Sequence, residues 1–190
     1  MIHSPTAWLR GAGGTPFGRH EGRGPIDLMA DAARQALASA ALARGDIDGM
    51  LCGYATTLPH LMLSTLLCER LGLSPRYAHG MQLGGATGAA MLMAARELVR
   101  AGRCRNVLVV AGENRLTGQS RDSSIQTLAQ VGDADYEVPN GASVPAYYAL
   151  MASEYMHRTG ITRADLAEFA VLMRANAVRS DSFRTCKVSG

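Results

Sequence analysis

No pair of cysteines in this chain has the Cys-x-x-Cys spacing, and none of Cys52, Cys68, Cys104 and Cys186 is flanked by histidines at zinc-ligand spacing. A zinc site and a dithiol redox centre are thereby excluded, and reduced cytoplasmic thiols are expected. Aromatic residues are scarce at 5%, with a single tryptophan, so aliphatic and methionine side chains must build most of the core. No window reaches the roughly 18 uninterrupted apolar residues of a membrane span, and residues 1–6 hold no apolar signal core. Runs of like charge are also missing. With a net charge of +3 and scattered arginines, neither nucleic acid nor a membrane surface is expected as a partner.

What is present suffices for a globular α/β protein, since 47% of 190 residues are hydrophobic and only 18% are charged. Strand and helix patterns alternate through the first 112 residues at the pace of β-α-β units, which predicts a mostly parallel sheet of topology βαβαβαβ. Residues 7–11 read as a short first strand. Pro25 opens a helix in which Ile26, Met29, Ala30, Ala33, Leu37 and Ala40 recur at helical spacing, and Gly45 is the expected stop. Residues 47–53 read as the second strand, 61–71 as a helix ended by Gly72, and 76–80 as a third strand. The run Val107-Leu108-Val109-Val110-Ala111 has the look of a strand buried on both faces.

Residues 113–141 are polar and aperiodic, the pattern of a loop. Pro145 begins a further helix with Tyr147, Leu150, Met151 and Tyr155 as its expected buried stripe, ended by Gly160. Thr162 and Asp165 then form a capping-box start for a last helix carrying Leu166, Phe169, Ala170 and Met173. The resulting division is an α/β core over 1–114, a helical lobe over 115–178 and an irregular tail over 179–190.

The most informative stretch is Gly84-Gly85-Ala86-Thr87-Gly88-Ala89-Ala90-Met91-Leu92-Met93-Ala94-Ala95. It opens a helix with glycines and then offers almost nothing polar for about two turns, as a helix buried on all sides would. A helix start gathers free N–H donors and the positive end of the dipole, where enzymes hold an oxyanion or lower a cysteine pKa. Two motifs in order, Gly13-Gly14-Thr15-Pro16-Phe17-Gly18-Arg19 and Gly85-Ala86-Thr87-Gly88-Ala89-Ala90-Met91-Leu92, make the chain resemble the thiolase superfamily, and especially its sterol-carrier-protein-type branch.

The resemblance implies the N-terminal half of a thiolase-like fold, with a mixed, mostly parallel sheet, a buried central helix and a helical lobe over the active site. It runs to about Asn176. It also places the family's acyl-accepting cysteine on Gly85, which has no nucleophile, so no catalytic residue is assigned. Thiolase-like chains are about twice this length, and the second half supplies a histidine loop, a further acid or base and much of the oxyanion hole. This chain is therefore expected to be a truncated N-terminal portion, inactive alone, whose missing half is either lost or a separate polypeptide.

The implied ligand is an acyl-CoA, a substrate and not a resident cofactor; no cofactor or metal is expected. Gly84, Gly85 and Ala86 are expected to give the substrate space and a backbone N–H. Glu113 and Asn114 follow the most buried strand, where open sheets present ligand loops, and two readings stay open for them: pocket lining or ordinary turn chemistry. Arg10, Arg19 and Arg23 read first as solvated surface and second as an attraction for the anionic carrier. His20, His60 and His79 read as exposed loop residues. Tyr147, Tyr148 and the methionines 91, 93, 151, 156 and 173 read as packing residues. Cys68 and Cys104 lie away from any helix start and read as inert thiols.

Three functions follow from the resemblance. The first is carbon–carbon bond cleavage or formation on an acyl-CoA by retro-aldol chemistry without an acyl-cysteine, as in cysteine-lacking aldolases of steroid side-chain degradation, whose working tyrosines lie in the second half. The others are a non-catalytic degenerate subunit and an ordinary acetyl-CoA acyltransferase. In thiolase-like dimers the strand before the nucleophile helix pairs across a two-fold axis. Here residues from Arg76 to Met81 take that place, so a homodimer, or a heteromer with a thiolase-like subunit, is expected through them. A zinc-ribbon and OB-fold partner is a further implication of the branch.

Overall fold

The computed structural model describes residues 6–141 and 143–179. By their contacts, the described residues of Met1–Thr15 and Arg19–Gly118 form one compact unit, and those of Pro16–Gly18 and Gln119–Gly190 form another. The expected tail over 179–190, Cys186 included, lies outside the described residues except for Arg179.

The first unit is an α/β sandwich. Helix α1 (Pro25–Ala40) starts on a proline, whose missing N–H costs nothing at that position, and Asp27 returns a carboxylate to the Gly24 N–H at 3.2 Å. It ends at Ala41, a non-glycine residue in the left-handed region with φ 54°, and not at the expected Gly45. The N–H groups of Ala41 and Leu42 close back on Ala38 and Leu37, and these bonds outweigh the left-handed strain at Ala41. Strand β1 (Gly49–Gly53), helix α2 (Leu63–Leu71), strand β2 (Tyr77–Met81), helix α3 (Thr87–Arg100) and strand β3 (Val107–Val110) follow. Gly72 ends α2 with φ 66°, as its lack of a Cβ allows.

The strands form a three-stranded sheet in the order β2-β1-β3, parallel throughout, with Gly49 opposite both Tyr77 and Val107. β1 is central and buried along its whole length. Alternation divides its side chains: Met50 and Cys52 join Leu108 and Val110 in a core shared with Met29, Ala33 and Leu67 of α1 and α2. Gly53 faces the other way and approaches α3: a Cβ there would come within 2.8 Å of the Ala111 Cβ and 3.3 Å of the Met91 Cε.

Three expectations for this unit are corrected. Residues 7–11 form no strand. Gly11 presses on α1 so closely that a Cβ would lie 2.6 Å from the Ala36 carbonyl oxygen, and a groove of about 660 Å³ lies between residues 6–11, α1, α3 and the outer edge of β3. Seated on the helix, the segment does not reach the ladder. β3 is buried on one face only, with Leu108 and Val110 inward and Val107 and Val109 half-covered. Helix α3 packs on the sheet through Thr87 and Met91, on one side only, and Leu92 and Met93 are exposed.

In the second unit the polar stretch after β3 is helical where a loop was expected. Helix α4 (Arg115–Gly118) still belongs to the first unit, and helix α5 (Arg121–Ala129) begins at Ser120, whose hydroxyl accepts the Ser123 N–H at 3.2 Å. Here local capping overrides the weak periodicity. Helices α6 (Val144–Thr159) and α7 (Arg163–Val178) occupy the expected places, and α7 has its capping box: the Asp165 carboxylate accepts from the Thr162 N–H at 2.7 Å. The expected buried stripe on α6 is not found. Leu150, Met151 and Tyr155 are exposed and Tyr147 is half-buried, since no described residue of α6 or α7 is packed away from solvent.

Candidate functional site

A cavity of about 490 Å³ opens at the C-terminal ends of β1 and β3, where they meet the start of α3. Its wall includes Gly53 at the end of β1 and Tyr54 after it, Thr87 and Gly88 on α3, and Glu113 and Arg115 after β3. Close backbone approach shapes it. Besides the Gly53 contact with Ala111, a Cβ on Gly112 would meet the Met29 Cγ at 2.8 Å.

Glu113 ties two loops together. Its Oε2 accepts from the Thr56 N–H at 2.6 Å and the Thr56 hydroxyl at 2.5 Å, while its Oε1 accepts from the Thr57 N–H at 3.3 Å, from the Thr57 hydroxyl and from the Asn114 N–H at 3.1 Å. Burial raises the pKa of this carboxyl, but the hydrogen bonds from Thr56, Thr57 and Asn114 outweigh it and hold the group below its ordinary value of 4.5. Asn114 is buried. Its amide donates to the Arg23 carbonyl at 2.8 Å, and its Oδ1 lies 2.6 Å from the Thr57 hydroxyl, as the alternative acceptor to Glu113 Oε1 for that single proton. The loop after β1, the loop after β3 and the lead into α1 are thereby fixed to one another. Arg115 donates its Nε to the Thr56 hydroxyl at 3.2 Å, and the same atom lies 3.8 Å from Glu113.

The start of α3 is a single 3-10 turn, Gly84–Ala86, leading into the helix. Thr87 closes that turn: its hydroxyl donates to the Gly84 carbonyl at 2.7 Å and accepts the Leu83 N–H at 2.9 Å. Gly84 needs to be glycine, with φ 56°. Gly85 does not, since its φ is not positive and an added Cβ would meet nothing within 4 Å. Glycine at this place is not imposed by packing.

The described thiols sit elsewhere. Cys52 is on β1, Cys68 in α2 and Cys104 before β3, all buried. Burial pushes the Cys52 thiol up to about 12 and raises those of Cys68 and Cys104 as well. Such thiols are poor nucleophiles. His60 is exposed, with Nδ1 accepting the Met62 N–H at 3.1 Å, and His79 lies on the exposed β2. Among the described residues no histidine lines the cavity. Among the described residues no cluster of three or more histidine, cysteine, aspartate or glutamate side chains is arranged to hold a metal, and no helix is long and apolar enough to cross a membrane.

Of the residues singled out in the sequence, Glu113 lines the cavity and Asn114 braces it from beneath, while Gly84, Gly85 and Ala86 lie just before the wall residue Thr87. Thr56, Thr57, Thr87 and Arg115 were not anticipated. The Thr56-Thr57 pair in the loop after a strand was the legible signal, because paired hydroxyls beside free N–H groups are suited to a carboxylate.

Comparison with known proteins places these features in context. The family model described as thiolase, N-terminal domain, matches residues 9–184. An acetyl-CoA acetyltransferase of Methanocaldococcus jannaschii is 28% identical over 173 residues, covering 90% of this chain and 43% of that protein. A steroid side-chain-cleaving aldolase of Thermomonospora curvata is 30% identical over 185 residues, covering 90% of this chain and 44% of its own length. The solved structure of the Ltp2-ChsH2(DUF35) aldolase superposes with a TM-score of 0.73 at 22% identity, over 97% of this chain and 47% of that one. The chain thus spans less than half the length of these two relatives.

Proposed function

Because the chain belongs to the thiolase family through its N-terminal domain, we propose that it is the acyl-CoA-binding part of an enzyme that breaks or forms carbon–carbon bonds by retro-aldol chemistry. No acyl-cysteine forms in this reading. The carrying observation is the glycine at the start of α3: Gly85 has room for a side chain and lacks one, while every described thiol is buried elsewhere.

The chemistry needs no sulfur. A base removes the proton of a β-hydroxyl, the α–β carbon bond breaks as the carbonyl forms, and the electron pair becomes the enolate of the shortened thioester, which is then protonated. The enolate oxygen requires N–H donors, and Gly84, Gly85 and Ala86 offer space and a backbone N–H beside the cavity. Glu113 and Asn114 hold the loops around it. The base belongs to a second thiolase-like half, joined in the same polypeptide or carried by another. The likeness to a steroid side-chain-cleaving aldolase supports this choice over simple thiolysis. The exposed strand β2 at the sheet edge supports association through residues Arg76 to Met81, with a second copy or a thiolase-like subunit. A zinc-ribbon and OB-fold partner follows from the resemblance to the same branch.

Two other readings are separable by one assay, in which the chain with its natural neighbours receives β-hydroxyacyl-CoA or 3-ketoacyl-CoA. Release of a ketone or aldehyde with a shortened acyl-CoA supports the proposal. CoA-dependent cleavage of the 3-ketoacyl-CoA, blocked by a thiol reagent, would identify an acetyl-CoA acyltransferase. Binding without turnover of either compound would identify a non-catalytic subunit.

A further inference from the structure

The polar groups around the cavity are not equally free. Glu113 is surrounded by five donors from Thr56, Thr57 and Asn114, and Thr87 both donates and accepts within its own turn. Neither has a proton left to donate to a ligand. Arg115 is different: it is held through Nε alone, and among the described residues its two terminal nitrogens make no hydrogen bond. Its side chain is 37% exposed. A guanidinium fixed by its inner nitrogen keeps the outer edge, a planar fork suited to two oxygens of one anion. Glu113 keeps that fork in place without consuming it, because the carboxylate is already filled by the threonines and backbone. The other nearby arginine, Arg23, is committed to Asp31 and the Asp27 carbonyl.

We infer that Arg115 is the anion receptor of this cavity and takes an oxyanion of the bound thioester. The inference rests on the acyl-thioester reading above and deepens it. Two sources share this chemistry, a carboxylate on the acyl chain and the diphosphate of the carrier.

The test is calorimetric titration of the chain together with its natural neighbours, and of the same assembly carrying Arg115→Gln or Arg115→Lys, with acetyl-CoA, succinyl-CoA and the corresponding N-acetylcysteamine thioesters, which lack the diphosphate. If the acyl carboxylate is the partner, both succinyl compounds bind the parent roughly 10- to 100-fold tighter than their acetyl counterparts. Arg115→Gln closes that gap and Arg115→Lys retains part of it. If the diphosphate is the partner, Arg115→Gln weakens both CoA compounds by a similar factor and leaves the truncated ones unchanged. Either pattern supports the inference. Acetyl-CoA and succinyl-CoA binding alike to parent and Arg115→Gln, with an unchanged circular dichroism spectrum, would overturn it and leave the acyl-CoA reading standing. Failure of every probe to bind the parent would remove that reading and the inference together.

Discussion

Replacing Glu113 by glutamine removes one charge and one acceptor oxygen from the point where two loops meet. If the amide nitrogen takes the Oε2 place, the Thr56 N–H and hydroxyl lose their acceptor; if it takes the Oε1 place, the Thr57 donors and the Asn114 N–H lose theirs. Hydroxyls can rotate to new partners, but backbone N–H groups cannot. A buried donor left unpaired costs about 1–3 kcal/mol, and water reaches this side chain in part, since it is 29% exposed. The expected loss at neutral pH is therefore about 2 kcal/mol, read as a lower urea midpoint at constant m-value. The pH dependence adds a second check. The folded pKa of Glu113 lies below its ordinary 4.5, so its stabilisation is present above that value and is lost as pH falls through the folded pKa. The gap between parent and Glu113→Gln should hold down to about pH 4.5 and close below it. Equal midpoints at neutral pH, or a gap that persists in acid, would refute the bridging role.

Other substitutions probe neighbouring contacts. Gly53→Ala brings a Cβ to 2.8 Å from that of Ala111, and should cost about 1–3 kcal/mol by overpacking in thermal or urea unfolding. Gly85→Cys meets no atom within 4 Å and should leave stability within about 0.5 kcal/mol. Its thiol, exposed at a helix start, should react with iodoacetamide far faster in the native protein than Cys52, Cys68 or Cys104, as peptide mapping would show.

Local signals were the legible part of this sequence. Pro25, Gly72, Gly160 and the Thr162–Asp165 pair mark helix ends through backbone geometry, and the structure has helix ends at or next to each of them. The β1 and β3 segments were readable because a parallel strand needs a short apolar run. What failed depended on distant partners. Residues 7–11 have the composition of a strand, yet Gly11 fits so closely against α1 that the segment stays off the β3 edge. The apolar surfaces of α3 and α6 predicted burial, but burial depends on a partner surface distant in the chain, and Leu92, Met93, Leu150 and Met151 are exposed. At the candidate site, Glu113 and Asn114 were found from their place after a strand. Their partners Thr56 and Thr57 lie 56 or 57 positions away in the chain, so the paired hydroxyls could be read locally as suited to a carboxylate but not matched to Glu113.

The claim that carbon–carbon chemistry proceeds here without a covalent thioester is tested most directly by intact-protein mass spectrometry. The chain and its natural neighbours would be acid-quenched during turnover of β-hydroxyacyl-CoA and 3-ketoacyl-CoA. The account predicts an unmodified mass for this chain while shortened acyl-CoA accumulates from the β-hydroxy compound; an acyl adduct on any of its cysteines, formed at the rate of turnover, would contradict it.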